Sequence, residues 1–367
     1  FGENQASADA LAYVSTPTRA SARTRQTVLN ASVSGGLFDL PGGPLSFAAG
    51  LEHRREEGAF TPDPYQRLGQ GRSVPVQAAS GAYHTNEVFA EVLAPLFDPD
   101  RALAGLHRLD LTAKVRRVEN SVAGGFTAFT YGLQYEPFAG LQLRGNKTRS
   151  LRAPSIAELY TSQQPAFYSI PEVCSAARIN SGTRPATRRR NCEAFFAAYP
   201  GADPATFQAT PTTTLGSMNG STTLKNEEAR SWTAGIVLTP DRVKGLRAAA
   251  DWYDIQITDV ITPLSPTDII TGCFDSPDFN AADVPNANRF CSLVTRNPLS
   301  GAATDIRTQY GNGPVLVFRG WTAELGYRLQ AGRWGMLDLG VYGYMPKNRG
   351  LAASAGGPFV ERVGRFD

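Results

Sequence analysis

Residues 143–162 read LRGNKTRSLRAPSIAELYTS. The stretch begins as a strand: Leu141 and Leu143 alternate with Gln142 and Arg144, a period of two with one apolar side. It then turns polar through Asn146, Lys147, Thr148 and Arg149, meets an Arg152-Ala153-Pro154 corner, and enters a long segment without alternation. Pro154 fixes its own φ, has no N–H, and biases Ala153 toward an extended shape, so a strand is expected to stop there. Arg152 at that stop can pair with Glu158 or with a lipid phosphate.

Working outward, the same alternation recurs. Leu45, Phe47, Ala49 and Leu51 share one side of a strand, as do Val88, Ala90, Val92 and Ala94. Leu109, Leu111, Ala113 and Val115 oppose Asp110, Thr112, Lys114 and Arg116. Phe129, Tyr131, Leu133 and Tyr135 oppose Ala128, Thr130, Gly132 and Gln134. Trp321, Ala323, Leu325, Tyr327 and Leu329 oppose Thr322, Glu324, Gly326, Arg328 and Gln330. Further strands are expected over 27–35, 231–239, 246–260 and 335–344, giving about ten strands and no amphipathic helix, with AELY at most a turn.

The connections sort by length. Short ones carry Pro and Gly, at 39–44, 136–140, 239–245 and 330–333. Long ones cover 58–82, 150–226 and 261–313. Irregular loops of that length are rare in compact domains, whereas short turns at one end and long loops at the other mark an outer-membrane barrel. The polar side of the strands is rich in Gly, Thr, Ser and Gln with charges of both signs, as a wet lumen requires. The apolar side is expected to end in interfacial aromatics: Trp252, Tyr253, Trp321, Tyr327, Trp334, Tyr342 and Tyr344. A large two-sheet soluble β protein with decorated loops is the competing fold.

Composition agrees with strands and turns: 36 Gly, 25 Pro, 13 Tyr and 19 Phe in 367 residues. The net charge of +3 argues against a nucleic-acid partner. No basic, apolar signal segment opens the sequence, and no apolar run is long enough for a membrane helix. Cys174 and Cys192 are separated by the same 18 positions as Cys273 and Cys291, each pair inside a Pro- and Asn-rich stretch with no zinc pattern. Two local disulfides are the expectation; four unrelated thiols are the alternative. His53, His84 and His107 are scattered, no nucleophile elbow, P-loop or dinucleotide glycine pattern occurs, and neither a metal, a cofactor nor catalysis is expected. The densest cationic cluster, Arg188, Arg189 and Arg190, can attract an anionic ligand, bridge lipopolysaccharide phosphates, or be solvated.

The opening stretch resembles the region of TonB-dependent outer-membrane receptors where a barrel strand ends in an R-A-P turn followed by Glu-Leu. The match lies at Arg152, Ala153, Pro154, Glu158 and Leu159. LKNEEARSWTAGIVLTP (224–240) is similar to the family's next strand, through Leu224, Glu227, Trp232, Gly235 and Pro240, and departs from it at Asn226, where Pro is common. AADWYDIQITDVIT (249–262) and FDLPGGPLSFAAGLEHRRE (38–56) are similar to further strands. The resemblance implies an all-β, antiparallel transmembrane barrel segment over 1–367, about ten strands of a 22-strand barrel, with long extracellular loops. It implies a plug domain and C-terminal strands that are absent here. It also implies uptake across the bacterial outer membrane of a scarce, bulky extracellular ligand, a siderophore–iron complex first, or cobalamin, peptide or glycan. The drive would come from TonB–ExbB–ExbD. A passive porin-like channel is the alternative, and a soluble or surface-displayed adhesin a third.

Overall fold

The computed structural model describes residues 6–70, 75–101, 103–182, 184–207, 212–352 and 359–364. In chain order its elements are α1 (Ala8–Val14), β1 (Ser21–Leu40), β2 (Gly43–Thr61), α2 (Pro64–Arg67), β3 (Ala79–Phe97), β4 (Arg108–Asn120), β5 (Gly124–Phe138) and β6 (Leu141–Arg152). There follow α3 (Ile156–Tyr160), β7 (Gln164–Ile170), α4 (Pro185–Ala198), β8 (Thr212–Asn219), β9 (Glu227–Leu238), β10 (Leu246–Thr258) and β11 (Ile261–Pro263). The last are α5 (Pro266–Phe274), β12 (Val294–Arg296), β13 (Ala303–Asn312), β14 (Val315–Gln330), β15 (Met336–Ala352) and β16 (Phe359–Glu361).

Eleven strands form one antiparallel wall in the order β1-β2-β3-β4-β5-β6-β9-β10-β14-β15-β16. Neighbours in this wall are mostly neighbours in sequence, the up-and-down pattern that tight turns produce. The wall is open among the described residues, with β1 and β16 at its edges. The long connections rise from one end and build a second, five-stranded sheet from β7, β8, β11, β12 and β13. Among the described residues only the β8–β13 pair is parallel, running from Asp305↔Leu215 to Gln309↔Asn219.

The wall's two sides behave as the alternation requires, and inversely to a soluble protein. Trp321, Leu325, Leu111 and Val92 are each 38–51% exposed, while Asp110, on the other side, is 6% exposed. The polar side is laced with ion pairs across strands: Lys114–Glu91 at 2.8 Å and Arg116–Glu87 at 2.6 Å join adjacent strands, and Arg144–Asp251 at 2.7 Å reaches across the intervening β9. Such a wall has hydrocarbon outside and water inside, because in lipid the backbone must satisfy its own polar groups and the side chains facing out must be apolar.

β1, β2 and β3 run 20, 19 and 19 residues, about twice the 9–11 needed to cross the hydrocarbon. Their far ends therefore stand clear of it. The outer side records the exit: it turns from apolar to charged after Leu51 on β2, Val115 on β4, Gly145 on β6 and Trp232 on β9. Just inside that line Trp232, Trp252 and Trp321 form a row, with ring centroids 6.4 and 5.1 Å apart.

Three expectations are corrected. Among the described residues the wall has eleven strands and the loops carry five of their own. Segments 150–226 and 261–313 are not helix-free: AELY lies within the one-turn α3, α4 has 14 residues and α5 has nine. Tyr253 and Tyr344 belong to the inner side, where their rings stack at 6.0 Å, because both are one residue out of phase with the tryptophan row. Tyr342, two residues from Tyr344 on the same strand, shares that side.

An Arg placed at Leu111 should destabilise the folded protein in lipid vesicles by about 2–4 kcal/mol. The same change at Thr112 on the inner side should cost far less. Urea unfolding of both variants in vesicles measures the difference; equal costs would mean that the outer side is not in hydrocarbon.

Candidate functional site

The site is built where β6 stops. Pro154 is fully buried. Ser155 caps α3 with a reciprocal box: its hydroxyl accepts from the Glu158 N–H, and the Glu158 carboxylate accepts from the Ser155 N–H at 2.7 Å. Arg152 then donates to two carboxylates at once, to Glu158 at 2.9 and 3.0 Å and to Glu227 at 2.7 Å from two nitrogens. Glu227 also accepts from the Ile261 N–H at 2.7 Å. One guanidinium thus ties together the end of β6, the start of α3, the start of β9 and, through Glu227, the start of β11. Leu159 is buried beside it with Tyr83, Leu224 and Ile261.

α3 seats closely on the wall. The Tyr160 ring lies over Gly81 and the Ile156 methyl over Gly58, positions where a Cβ would collide. Tyr160 also donates its hydroxyl to the Ala82 carbonyl at 2.9 Å. The motif residues Arg152, Pro154, Glu158, Leu159, Leu224 and Glu227, spread over 75 positions, therefore meet at one junction between wall and loops; Ala153 is the linker that lets the corner turn. Burial works to raise the Glu158 carboxyl, but the hydrogen bonds from Arg152 and Ser155 outweigh it and hold its pKa below the ordinary glutamate value.

Above the junction the two long loops share a core. The largest buried apolar cluster runs from Ile170 to Ile306 and lies wholly in the loops. Phe195 is its centre, with Tyr199, Phe207 and Phe274 rings at 4.8, 5.2 and 5.6 Å. Cys174 is joined to Cys192 and Cys273 to Cys291, with Cα separations of 5.4 and 4.8 Å. Closed loops of this size contribute on the order of 3 kcal/mol each by restricting the unfolded chain.

Between the loops the ties are polar and buried. Arg188 on α4 donates to both oxygens of Asp275, at the end of α5, at 2.6 and 2.7 Å, both side chains under 10% exposed. Arg296 meets Glu172 at 2.6 Å and lies 5.0 Å above the Phe195 ring. Asn191 donates to the Phe274 and Ser276 carbonyls at 2.9 Å. Arg188, one of the three clustered arginines, is thus buried and braces the two loops through Asp275. Arg189 and Arg190 stay exposed; Arg189 bonds Asn180, and Arg190 bonds Asn191 at 3.3 Å. The sequence reading missed Asp275, Glu172 and Arg296, whose partners lie 87 or 124 positions away.

Two concavities result. One, on the cap, is lined by Tyr199, Pro285, Asn286, Ser292, Pro298 and Arg307. Burial raises the Tyr199 phenol above its ordinary pKa. The other, on the inner side of the wall, holds Arg108, Asp110, Arg144, Asp251 and Tyr253. No group of His, Cys, Asp and Glu among the described residues could hold a metal.

The family model for the β-barrel of TonB-dependent receptors matches residues 2–364. The chain belongs to this family. TonB-dependent receptors sit in the bacterial outer membrane and are transporters rather than enzymes. Among solved structures, the barrel resembles the ferric enterobactin receptor of Pseudomonas aeruginosa, with a TM-score of 0.53 and 14% identity over 88% of this chain and 36% of that one. It also resembles the siderophore receptor PirA of Acinetobacter baumannii, with a TM-score of 0.52 and 12% identity over 90% of this chain and 37% of that one. At such identities the likeness is one of fold. This TonB-dependent receptor segment spans little more than a third of the length of either. No curated protein matches its sequence.

Breaking the Arg188–Asp275 brace on one side only should be costly. Arg188→Met is expected to destabilise the cap by about 3–5 kcal/mol, while Arg188→Met with Asp275→Leu recovers most of the loss. Limited proteolysis of the cap distinguishes the two. The junction should weaken in acid. The Glu158 pKa is lowered on folding, so its contribution is full above the unfolded value of about 4.3 and fades as pH falls through the lower folded value. Proteolysis at 161–226 should therefore rise below about pH 4, and Glu158→Gln should abolish that part of the dependence.

Proposed function

We propose that this chain is the ligand-collecting part of a TonB-dependent receptor that takes up a scarce, bulky ligand, with a ferric siderophore the favoured cargo. The observation that carries the reading is the cap. Both long loops are folded around a common core, stapled within each loop and braced between loops, so little ordering remains to be done when a ligand binds. A passive channel gains nothing from such a cap, and the porin-like alternative is not favoured. The fold likeness to ferric-enterobactin and siderophore receptors supports an iron-chelate cargo.

On this reading Arg189 and Arg190 offer cations to an anionic chelate at the cap, and the motif at Arg152, Ala153, Pro154, Glu158 and Leu159 holds the cap to the wall. Transport would be driven by TonB–ExbB–ExbD acting on parts of the receptor outside this chain. No bond of the cargo is broken by residues described here.

The test is uptake of a radiolabelled ferric catecholate by iron-starved cells carrying the whole receptor. Uptake should stop when the proton gradient is collapsed or TonB removed, while surface binding persists. Arg189→Gln with Arg190→Gln should weaken binding about tenfold, a loss of roughly 1.4 kcal/mol. Uptake indifferent to energy would return the passive channel; unchanged affinity in the double variant would remove these arginines from the ligand site.

A further inference from the structure

The cap is cut from the chain in two pieces, yet its packing ignores that division. Ile170, Phe195 and Phe207 come from the first loop, Ile269, Phe274 and Ile306 from the second, and all six lie in one cluster. The Phe195 and Phe274 rings meet edge to face across the seam at 5.6 Å, and both are fully buried. One sheet also runs through both pieces, because β8, which pairs with β7 in the first loop, pairs with β13 in the second. Parting the loops would turn the apolar residues of each toward water, so neither loop has a core of its own.

The cap can open along one of two planes. The first is the seam between the loops. Opening there would strip two ion pairs of their partners in a dry interior, since Arg188, Asp275, Arg296 and Glu172 are each 7% exposed or less. It would also break the β8–β13 ladder and the Asn191 bonds. A buried charge left without its partner is among the costliest defects in a fold.

The second plane is the junction with the wall, and its ties are wetter. Four chain crossings lead between wall and cap: β6 to α3, β8 to β9, β10 to β11 and β13 to β14. Arg152, which ties the first three together, has a side chain 46% exposed. Asn312, at the fourth, accepts from the Lys225 N–H at 2.8 Å and donates to the Lys225 and Asp259 carbonyls at 2.9 and 2.7 Å, all three bonds exposed. The third long loop adds two exposed bonds, from Ser162 and Gln164 to the Gln77 carbonyl at 3.2 and 3.4 Å. Groups within reach of water exchange protein partners for water at small net cost. The buried apolar cluster here is also smaller, with four residues around Leu159.

We propose that the two loops form a single lid. The seam stays shut while the lid lifts as one body at the Arg152 junction, so one movement uncovers the barrel mouth. Both loops share one opening equilibrium, separate from that of the wall. This behaviour needs no ligand and is independent of the cargo.

Amide hydrogen exchange of the whole receptor in detergent, read by mass spectrometry at rising sub-denaturing urea, tests the lid. Peptides from β8 in the first loop and from α5 and β13 in the second should show one opening equilibrium, equal within about threefold, and one urea dependence. Those from β4 and β5 of the wall should exchange at least about tenfold more slowly. Arg188→Met should speed exchange by about a hundredfold or more in α4, α5 and β13 alike, and leave β4 and β5 unchanged. Spin labels at Ala197→Cys and Asp278→Cys report the distance across the seam; labels at Ala197→Cys and Arg117→Cys report that from cap to wall. Arg152→Gln should broaden the second distribution and leave the first as it is. Different opening equilibria in the two loops, an Arg188→Met effect confined to 171–207, a broadened seam beside an unchanged cap-to-wall distance, or two unchanged distributions would each overturn the single lid. The exchange comparison on the unmutated protein decides the matter even if a variant fails to fold.

Discussion

A peptide N–H or C=O facing hydrocarbon has no water to bond, and every other property of this chain follows from how that is met. The wall meets it with one ladder from β1 to β16, so its strands must be long, regular and in register. Regular strands alternate, and alternation hands one side to lipid and the other to water. The lipid side then cannot contribute a core, because burying Leu111 or Val92 against acyl chains gains nothing over leaving them there in the unfolded membrane-bound chain. The wall is held by its hydrogen bonds and by the ion pairs that fill its inner side.

The apolar core has been moved elsewhere as a result. It sits in the loops, above the membrane, where water again drives burial. Two solvents thus act on one chain, and the Arg152 junction is the hinge between their regimes. Below it, charges are inside and apolar groups outside. Above it, Phe195, Phe274 and Ile306 are inside and Arg189 and Arg190 outside. The corner Arg152-Ala153-Pro154 is where the strand must stop, and a guanidinium shared by Glu158 and Glu227 is what lets four chain segments stop at the same level.

Much of the wall was legible because strand alternation is a local property. The phase of Leu111 against Asp110, or of Trp321 against Thr322, is set within a few residues and reappears in the structure. The corner at Pro154 was legible for the same reason. Tyr253, Tyr342 and Tyr344 were misplaced when aromaticity was allowed to override phase. The cap was largely illegible. α5 was missed as well, although Ser265 and Asp268 form a capping box ahead of an apolar run, a local signal that could have found it. α4 carries no such signal: it buries Arg188 and Asn191 alongside Cys192 and Phe195, so it shows no apolar stripe. Arg188 reads as surface until Asp275 is known to stand beside it, and nothing in 87 intervening positions says so. Ligation between distant loops is a tertiary fact with no periodic trace.

The placement of the disulfides has a mechanical consequence. Each joins two points of the same loop, and neither joins one loop to the other or to the wall. The seam between the loops is held by the Arg188–Asp275 and Arg296–Glu172 pairs, the Asn191 bonds and the short parallel run of β8 with β13. Each half is covalently closed on itself, while the join between the halves rests on the shared apolar core and on noncovalent bonds alone, so reducing the disulfides would loosen each half without cutting any link between them.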